Sequence, residues 1–342
     1  MKKNISRIAV LLVALISTMG AMAQGLERND LIYNSQILPQ TNRLNPAIFQ
    51  NNRSAFLTLP SWNFSLGLPV AYENFTFKEE TNNGKTKYKI DIYDLTQHLN
   101  DNKSIRVGFD INLLGFGFRV KKVFLTFNAG AVGDATLTVP TELANVVYGD
   151  LYNSIGKKNA KNVPLNNLLH VNAYEKFQIG LGVNILENLS VGAHVNILNG
   201  LANISLTDAN INIYSKDEAF SALYADLSYK LRRAGCIKFD FDGSDTEFAH
   251  SFNNIGYTFD LGARYKIGGL SVSASLLDFG PGITWKDNVT YTEPTRTDVE
   301  FEGYNLGNLL DGGDIDADFF SDVTDELEDM LKTEDVDGEE YT

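Results

Sequence analysis

The sequence predicts an all-β protein, an antiparallel transmembrane β-barrel of the outer-membrane type with helices in its long external loops. Three observations lead to this prediction: strict alternation of apolar and polar residues, short turns that alternate with long connections, and a secretion signal. Successive side chains of a strand point to opposite faces, so alternation gives each strand one apolar and one polar face. In a membrane barrel the apolar face contacts lipid and the polar face lines the interior.

The alternation is clearest in residues 177–197, where two alternating runs meet at a very short turn. Applied along the chain, the same pattern predicts seven long strands. They cover residues 54–68, 105–118, 123–131, 177–184, 189–197, 255–266 and 270–276.

Short turns lie at Lys121-Lys122, at residues 186–188 and at Gly268-Gly269, and long connections lie between the resulting hairpins. A Gly-Gly pair between alternating runs is a strong hairpin signal. Because short and long connections alternate, all short turns fall at one end of the strands, as in outer-membrane barrels. The alternative is a water-soluble β-sandwich, which gives no reason for this asymmetry.

The N-terminus predicts export. Basic residues precede an apolar run too short to span a membrane, and Ala21-Met22-Ala23 follows. We expect a signal peptide over residues 1–23, cleaved near Ala23/Gln24, and localisation in the cell outer membrane. The expected organisation is then a periplasmic or plug segment over 24–53, barrel strands and loops over 54–299, and an acidic external loop with a helix over 300–342.

The acidity of the chain is local. Residues 300–342 contain sixteen acidic residues and one lysine, whereas the net charge of the whole chain is −14. The rest is therefore close to neutral, which argues against nucleic-acid binding. We expect outer-membrane lipid as a partner, and the acidic external segment is the candidate surface for a protein partner.

Helical spacing of apolar residues predicts loop helices in residues 141–155, 219–231 and 321–331. The first two either fold over the barrel mouth or only stabilise the loops. Seven strands leave an unpaired edge in lipid, which is costly. We therefore expect either a sequence truncated at its C-terminus or closure by another chain, and we favour truncation.

Charged residues of both signs occur on the polar faces, a pattern that suits internal ion pairing. The predicted lumen-facing residues are Arg106, Asp110, His194, Asp260, Arg264 and Lys266. The same faces are rich in glycine and serine. These small residues either leave room for a pore, a plug or a ligand, or relieve crowding where strands bend.

Two candidate chemical sites are weak. A calcium loop is suggested by the spacing of Asp314, Asp316, Asp318 and Asp325, but Phe319 stands where the loop needs glycine, and a solvated acidic loop is the better interpretation. His194 shares a strand face with Ser190 and Asn196. However, residues four apart on a strand are ~13 Å apart, too far for a nucleophile and its base. The single cysteine, Cys236, has no assigned chemistry. We expect no enzymatic activity and no cofactor.

Several segments resemble a family of Bacteroidota outer-membrane barrels known only by a domain-of-unknown-function label. The matching segments, in order, are residues 44–47 (LNPA), 174–176 (YEK), 189–193 (LSVGA), 260–265 (DLGARY), 273–280 (SASLLDFG) with Trp285, and 301–303 (FEG). The resemblance implies further strands after the acidic helix. The Asn-Pro-Ala element is also similar to the start of accessory barrels of gliding and secretion machinery. More distantly, the architecture is similar to fatty-acid channels.

Two functions are compatible with this sequence. The first is a channel or carrier for a small molecule, hydrophobic molecules included, with external helices that gate its mouth. The second is a non-conducting accessory barrel that docks a secretion or surface-assembly partner through the acidic segment.

Overall fold

A computed structural model describes most of the predicted barrel. The described residues are 38–49, 54–67, 76–80, 86–90, 104–138, 140, 142, 156–166, 168–215, 223–239, 246–294, 298–301 and 333–342. The predicted helices over 141–155 and 321–331 fall almost entirely outside these ranges, as does the calcium candidate.

The described residues are mostly antiparallel β-strand, with one short α-helix, α1 (Thr41–Leu44), and a 3₁₀ turn at Lys157–Asn159. The strands of the first half are β1 (Ala55–Thr58), β2 (Ser61–Gly67), β3 (Thr76–Glu80), β4 (Thr86–Ile90), β5 (Ser104–Val120), β6 (Val123–Thr138), β7 (Lys161–Pro164), β8 (Leu169–Asn184) and β9 (Leu189–Ser215). The remaining strands are β10 (Leu223–Gly235), β11 (Ile237–Phe239), β12 (Thr246–Phe248), β13 (Ile255–Ile267), β14 (Leu270–Ile283), β15 (Thr290–Pro294), β16 (Asp298–Phe301) and β17 (Thr333–Asp337).

Thirteen of these strands form one sheet, and all seven predicted strands are present in it. The first is interrupted at Leu59-Pro60 and forms β1 and β2, which both pair with β5. The interruption has a simple cause, because proline has no N–H to donate to a neighbouring strand. The three predicted short turns join β5 to β6, β8 to β9, and β13 to β14.

Strand β9 is longer than predicted and organises the second half of the sheet. Its first half pairs with β13 and its second half with β10, on the same side, while β8 pairs on the other side. Strands β10 and β13 therefore follow one another along β9, with β11 and β12 inserted between them. Strands β14, β15 and β16 follow one another in the same way along β13 and β10.

The polarity of the sheet is inverted relative to a water-soluble protein. Apolar side chains on the outer side are exposed, with Phe64 at 70% and Ile179 at 53%. Polar side chains on the opposite, inner side are buried, and Asp260 has no exposed surface. A soluble sandwich buries its apolar faces, so this arrangement confirms the predicted fold, the wall of an outer-membrane barrel.

The predicted helix over residues 219–231 is wrong from Leu223 onward. These residues belong to β10, which pairs with β9 along most of its length. The acidic segment also contains structure that the sequence did not predict. Its residues Thr333–Asp337 form β17, which pairs with β15.

The described wall is open. Among the described residues, no backbone pairing joins β1 or β2 at one edge of the sheet to β14 or β17 at the other. Within the same ranges, no helix is both long enough and apolar enough to cross a membrane.

Replacement of Ile179 by arginine tests the outward face. If lipid covers this position, Ile179→Arg destabilises the protein folded in vesicles by about 2–4 kcal/mol, as charges near the middle of a bilayer do. Urea unfolding from phosphatidylcholine vesicles measures the loss. The control is Glu187→Arg in the exposed turn between β8 and β9. An equally small effect of both substitutions, within about 0.5 kcal/mol, contradicts a lipid-facing wall.

Candidate functional site

Three glycines form a row across the inner side of the wall, on β8, β9 and β13. Gly182 pairs with Gly192, and Gly192 pairs with Gly262. Because none of them has a side chain, the inner surface has a trough at this level. We call these three residues the glycine row.

The N-terminal segment lies in this trough. A Cβ atom at Gly192 would overlap the carbonyl of Pro46, and one at Gly262 would overlap the side chain of Asn45. A Cβ at Gly182 would overlap the ring of Phe49. The glycine row therefore makes room for residues 45–49, which are all buried.

Side chains of α1 and the following turn fasten the segment to the wall. Arg43 donates a 2.6 Å hydrogen bond to Asp110 on β5, and the amide of Asn45 donates to the carbonyl of Ala274 on β14. Within the segment, the amide of Asn42 donates to the carbonyls of Pro46 and Ile48. These contacts attach the segment to both halves of the described wall.

A layer of buried polar side chains lies next to the glycine row, centred on Asp260. The Asp260 carboxylate accepts hydrogen bonds of 2.9 Å from the side-chain amides of Gln178 and Asn196, and one of 2.7 Å from the backbone N–H of Asp278. His194 Nδ1 lies 3.1 Å from the same carboxylate. The Asn128 amide extends the layer by donating to Gln178.

His194 joins this layer to the N-terminal segment, because its Nε2 lies 3.0 Å from Asn42 Oδ1. The amide nitrogen of Asn42 already donates to two carbonyls, so Oδ1 is the atom that faces the ring. An oxygen of this kind only accepts, so the ring donates from Nε2. The N-terminal segment and the wall thus share one hydrogen-bond network.

At its other end the network reaches an irregular part of β14. The pairing of β13 with β14 shifts twice between Tyr257 and Leu261, and Asp278 has a φ of 53°. The Asp278 carboxylate forms an ion pair with Lys176 of β8 and accepts a hydrogen bond from Asn196. The irregularity brings the Asp278 backbone N–H to Asp260 and its carboxylate to Lys176.

An apolar layer follows on the long-loop side of the polar layer. Its buried members are Leu198, Ala234, Ile283, Trp285 and Val289, and Tyr174 and Tyr341 pack against them. The glycine row, the polar layer and this apolar layer follow one another along β9, at Gly192, His194 with Asn196, and Leu198.

The C-terminal residues close this layer. The Tyr341 hydroxyl donates a 2.7 Å hydrogen bond to Asn203, and the guanidinium of Arg232 lies 3.7 Å from the centre of the Tyr341 ring. Tyr341 lies beyond β17, outside the strands of the wall. Burial raises the pKa of Tyr341 to about 12, so the hydroxyl keeps its proton and remains a donor.

Only some of the predicted lumen-facing residues lie close together in the structure. His194 and Asp260 contact each other, and Asp110 binds Arg43 instead. Arg264 is buried near the short turn, where its Nε donates to Ser271. The last two predicted residues, Arg106 and Lys266, are half-buried and exposed, respectively.

The described residues provide no metal centre. Within the described ranges, no group of three or more His, Cys, Asp or Glu side chains is arranged to hold a metal ion. The weak calcium candidate, Asp314, Asp316, Asp318 and Asp325, lies outside the described residues.

Sequence reasoning missed Asn42, Arg43, Asn45, Gln178, Asn196, Lys176 and Asp278 as members of this site. One signal was available. The short turn at 186–188 fixes the register of β8 and β9, so it already aligns Gly182 with Gly192. Contacts such as Asn42 with His194 join residues 152 positions apart, and no local pattern predicts them.

Comparison with known proteins identifies the family of the chain. The sequence model of the family described as "Family of unknown function (DUF5723)" matches residues 46–342. The chain belongs to this family. No curated protein matches the chain.

Solved structures that are similar to the chain include the following three. The "CymD monoaromatic hydrocarbon channel" has 12% identity and a TM-score of 0.24, and the match covers 76% of this chain and 84% of that one. The "TodX deltaS2S3 mutant monoaromatic hydrocarbon channel" has 12% identity and a TM-score of 0.21, with 70% and 72% covered. The Pseudomonas putida toluene transporter TodX has 12% identity and a TM-score of 0.21, and the match covers 70% of this chain and 75% of that one.

Substitution in the glycine row tests the seating of the N-terminal segment. Gly192→Ala places a methyl group against the Pro46 carbonyl, so we expect residues 41–49 to leave the trough while the strands remain. Hydrogen exchange of the backbone amides of 41–49 should then rise by about tenfold or more, equivalent to ~1.4 kcal/mol.

The matched control is Gly269→Ala, because nothing lies within 4 Å of a Cβ at this turn position. Unchanged exchange in 41–49 for both variants contradicts the placement of the segment.

Loss of the Asp260 carboxylate tests the polar layer. Asp260→Ala leaves His194 and two amide donors without a buried acceptor, so we expect a loss of about 3–5 kcal/mol in unfolding free energy. The control is Asp110→Ala, because Asp110 is partly exposed and water replaces its bond to Arg43. Denaturant unfolding of both variants in the same detergent measures the loss of unfolding free energy for each. Equal losses contradict the central position of Asp260.

Proposed function

We propose that this protein is an outer-membrane channel or carrier for a small hydrophobic molecule, closed at rest by its own N-terminal segment. The observation on which this proposal depends is the position of residues 45–49 in the trough of the glycine row. A segment that crosses the interior blocks passage. Its removal opens a route along the inner side of the wall.

The contacts between the N-terminal segment and the wall are weak enough to support a segment that leaves and returns. The polar contacts between the segment and the wall are hydrogen bonds made by Asn42, Arg43 and Asn45, and the bond from Arg43 is also an ion pair. Each of these bonds contributes only about 0.5–3 kcal/mol because water satisfies the same groups after release. Such a segment is able to leave without unfolding the wall.

The apolar layer supports the choice of cargo. Leu198, Ile283 and Trp285 pack together on the inner side beyond the polar layer, where a water-filled pore for ions or sugars would carry polar side chains. An apolar molecule that enters from the long-loop side meets compatible side chains until it reaches Asn196 and His194.

The exposed apolar outer side and the basic and apolar N-terminus of the sequence support a location in the outer membrane. Strands with this polarity are stable only where lipid covers their outer side. We include in the proposal the removal of residues 1–23 after export.

Uptake by intact cells tests the proposal. The full chain and the variant Arg43→Ala/Asn45→Ala are expressed in a Gram-negative host, whose outer leaflet slows apolar molecules. The variant removes two hydrogen bonds that hold the segment, so uptake of the apolar dye N-phenylnaphthylamine should rise at least about tenfold over the parent protein.

The control variant is Asn162→Ala, which removes a similar hydrogen bond, to Asn212, at an exposed position. It should leave uptake unchanged. If uptake stays at background for the parent and for the released variant, although hydrogen exchange shows that the segment has moved, the channel proposal is wrong. The non-conducting accessory barrel is then the better explanation.

A further inference from the structure

A short segment that begins with the last residue of β12 and leads to β13 crosses the outer side of the wall. His250 Nε2 lies 3.1 Å from the Glu175 carboxylate, and the amide of Asn199 donates to the carbonyl of Ser251. Glu175 lies two residues before Phe177 on β8, so both side chains are on the outer side with Ile179. The ring of Phe252 packs against that of Phe177, with 6.4 Å between their centres. We call residues 248–252 the outer strap.

The outer strap presents aromatic rings away from the wall. Phe248 is 60% exposed and Phe252 is 58% exposed, and the His250 ring lies between them in contact with both. Together with Phe177, these rings form one continuous column. Exposed aromatic clusters are rare on surfaces that face only water, and they indicate a binding partner.

Polar groups hold the strap in this orientation. Ser251 donates to the Asp287 carboxylate, Asn253 donates to the same carboxylate, and Asn254 accepts two backbone N–H groups from residues 286 and 287. The strap thus turns its polar groups toward the wall and its rings outward. A segment that faced only water would show the opposite arrangement.

The height of the strap matches one boundary of the lipid-facing belt. The outward row of β13 is exposed and mostly apolar from Tyr257 to Ile267, beside the short turn. At about 3.4 Å per residue and a tilt of about 40°, these ten steps rise ~26 Å, close to the ~25 Å apolar band of outer-membrane barrels. The strap meets the wall at Asn199, which pairs with Ile255 just beyond this row.

We propose that the outer strap binds the headgroup level of the bilayer leaflet on the long-loop side. The rings of Phe248 and Phe252 lie among the outermost acyl carbons and the glycerol groups, and the pair of His250 with Glu175 lies at the polar edge. Rings at such a boundary bury apolar surface while nearby polar groups stay hydrated. The inference rests on the proposed membrane location, because the strap continues the outward apolar surface.

Spin labels on the full chain test the inference by measuring depth. In a Cys236→Ser background, the single substitutions Ile179→Cys, Glu187→Cys, Phe248→Cys and Phe252→Cys are labelled, and the protein is folded into phosphatidylcholine vesicles. Collision rates with oxygen and with a water-soluble nickel complex give the depth of each label. We expect label 179 roughly 15 Å below the headgroups, labels 248 and 252 within about 5–10 Å of them, and label 187 in water.

The outcomes separate the two proposals. If label 179 lies in lipid while labels 248 and 252 are as accessible to nickel as label 187, the inference about the strap is wrong and the lipid-facing wall stands. If label 179 is in water, the membrane location itself fails. The label at 248 leaves Phe252 and its packing on Phe177 intact, so a shallow depth at 248 supports the inference even if Phe252→Cys disturbs the strap.

Discussion

The exposed apolar side of the wall obliges the protein to satisfy its polar side chains on the inner side. Asp260 illustrates the constraint, since its carboxylate has no exposed surface and is surrounded by the donors of Gln178, Asn196 and Asp278 and by the His194 ring. An unpaired buried carboxylate costs several kcal/mol, so these partners have to be in place together. One of them, His194, also contacts the N-terminal segment, so the wall and the segment are parts of one network.

The glycine row complements this network. At the level of His194 the inner surface carries polar side chains, but at the level of Gly192 the three neighbouring strands β8, β9 and β13 carry only glycine. Backbone of the N-terminal segment occupies the freed volume, and Phe49 fills the remainder by stacking on Phe124 at 5.7 Å. The small inward residues therefore do not share one role. Those of the row admit the segment, whereas Gly256 faces the backbone of Gly282 where β14 is irregular.

The sequence predicted the strands well because alternation is a local property, and lipid outside makes it strict. It failed at 219–231 for a reason visible in the residues. Leu227 and Leu231 are four apart, which places them on one side of a strand as well as on one side of a helix. The site was harder to predict from the sequence than the strands were. His194 and Asp260 were predicted to face the lumen, but Asn42 is distant in sequence and its contact depends on the assembled wall.

The free energy of the contacts between the N-terminal segment and the wall determines how often the segment leaves the trough. Its hydrogen bonds through Asn42, Arg43 and Asn45 contribute roughly 2.5–6 kcal/mol together, and buried Phe49 adds to this. Release is then confined to about one molecule in a hundred or fewer. In the proposed channel, a cargo molecule that binds only the open state shifts this balance by its own binding free energy. On that proposal, the contacts are strong enough to keep the interior closed and weak enough for a ligand to open it.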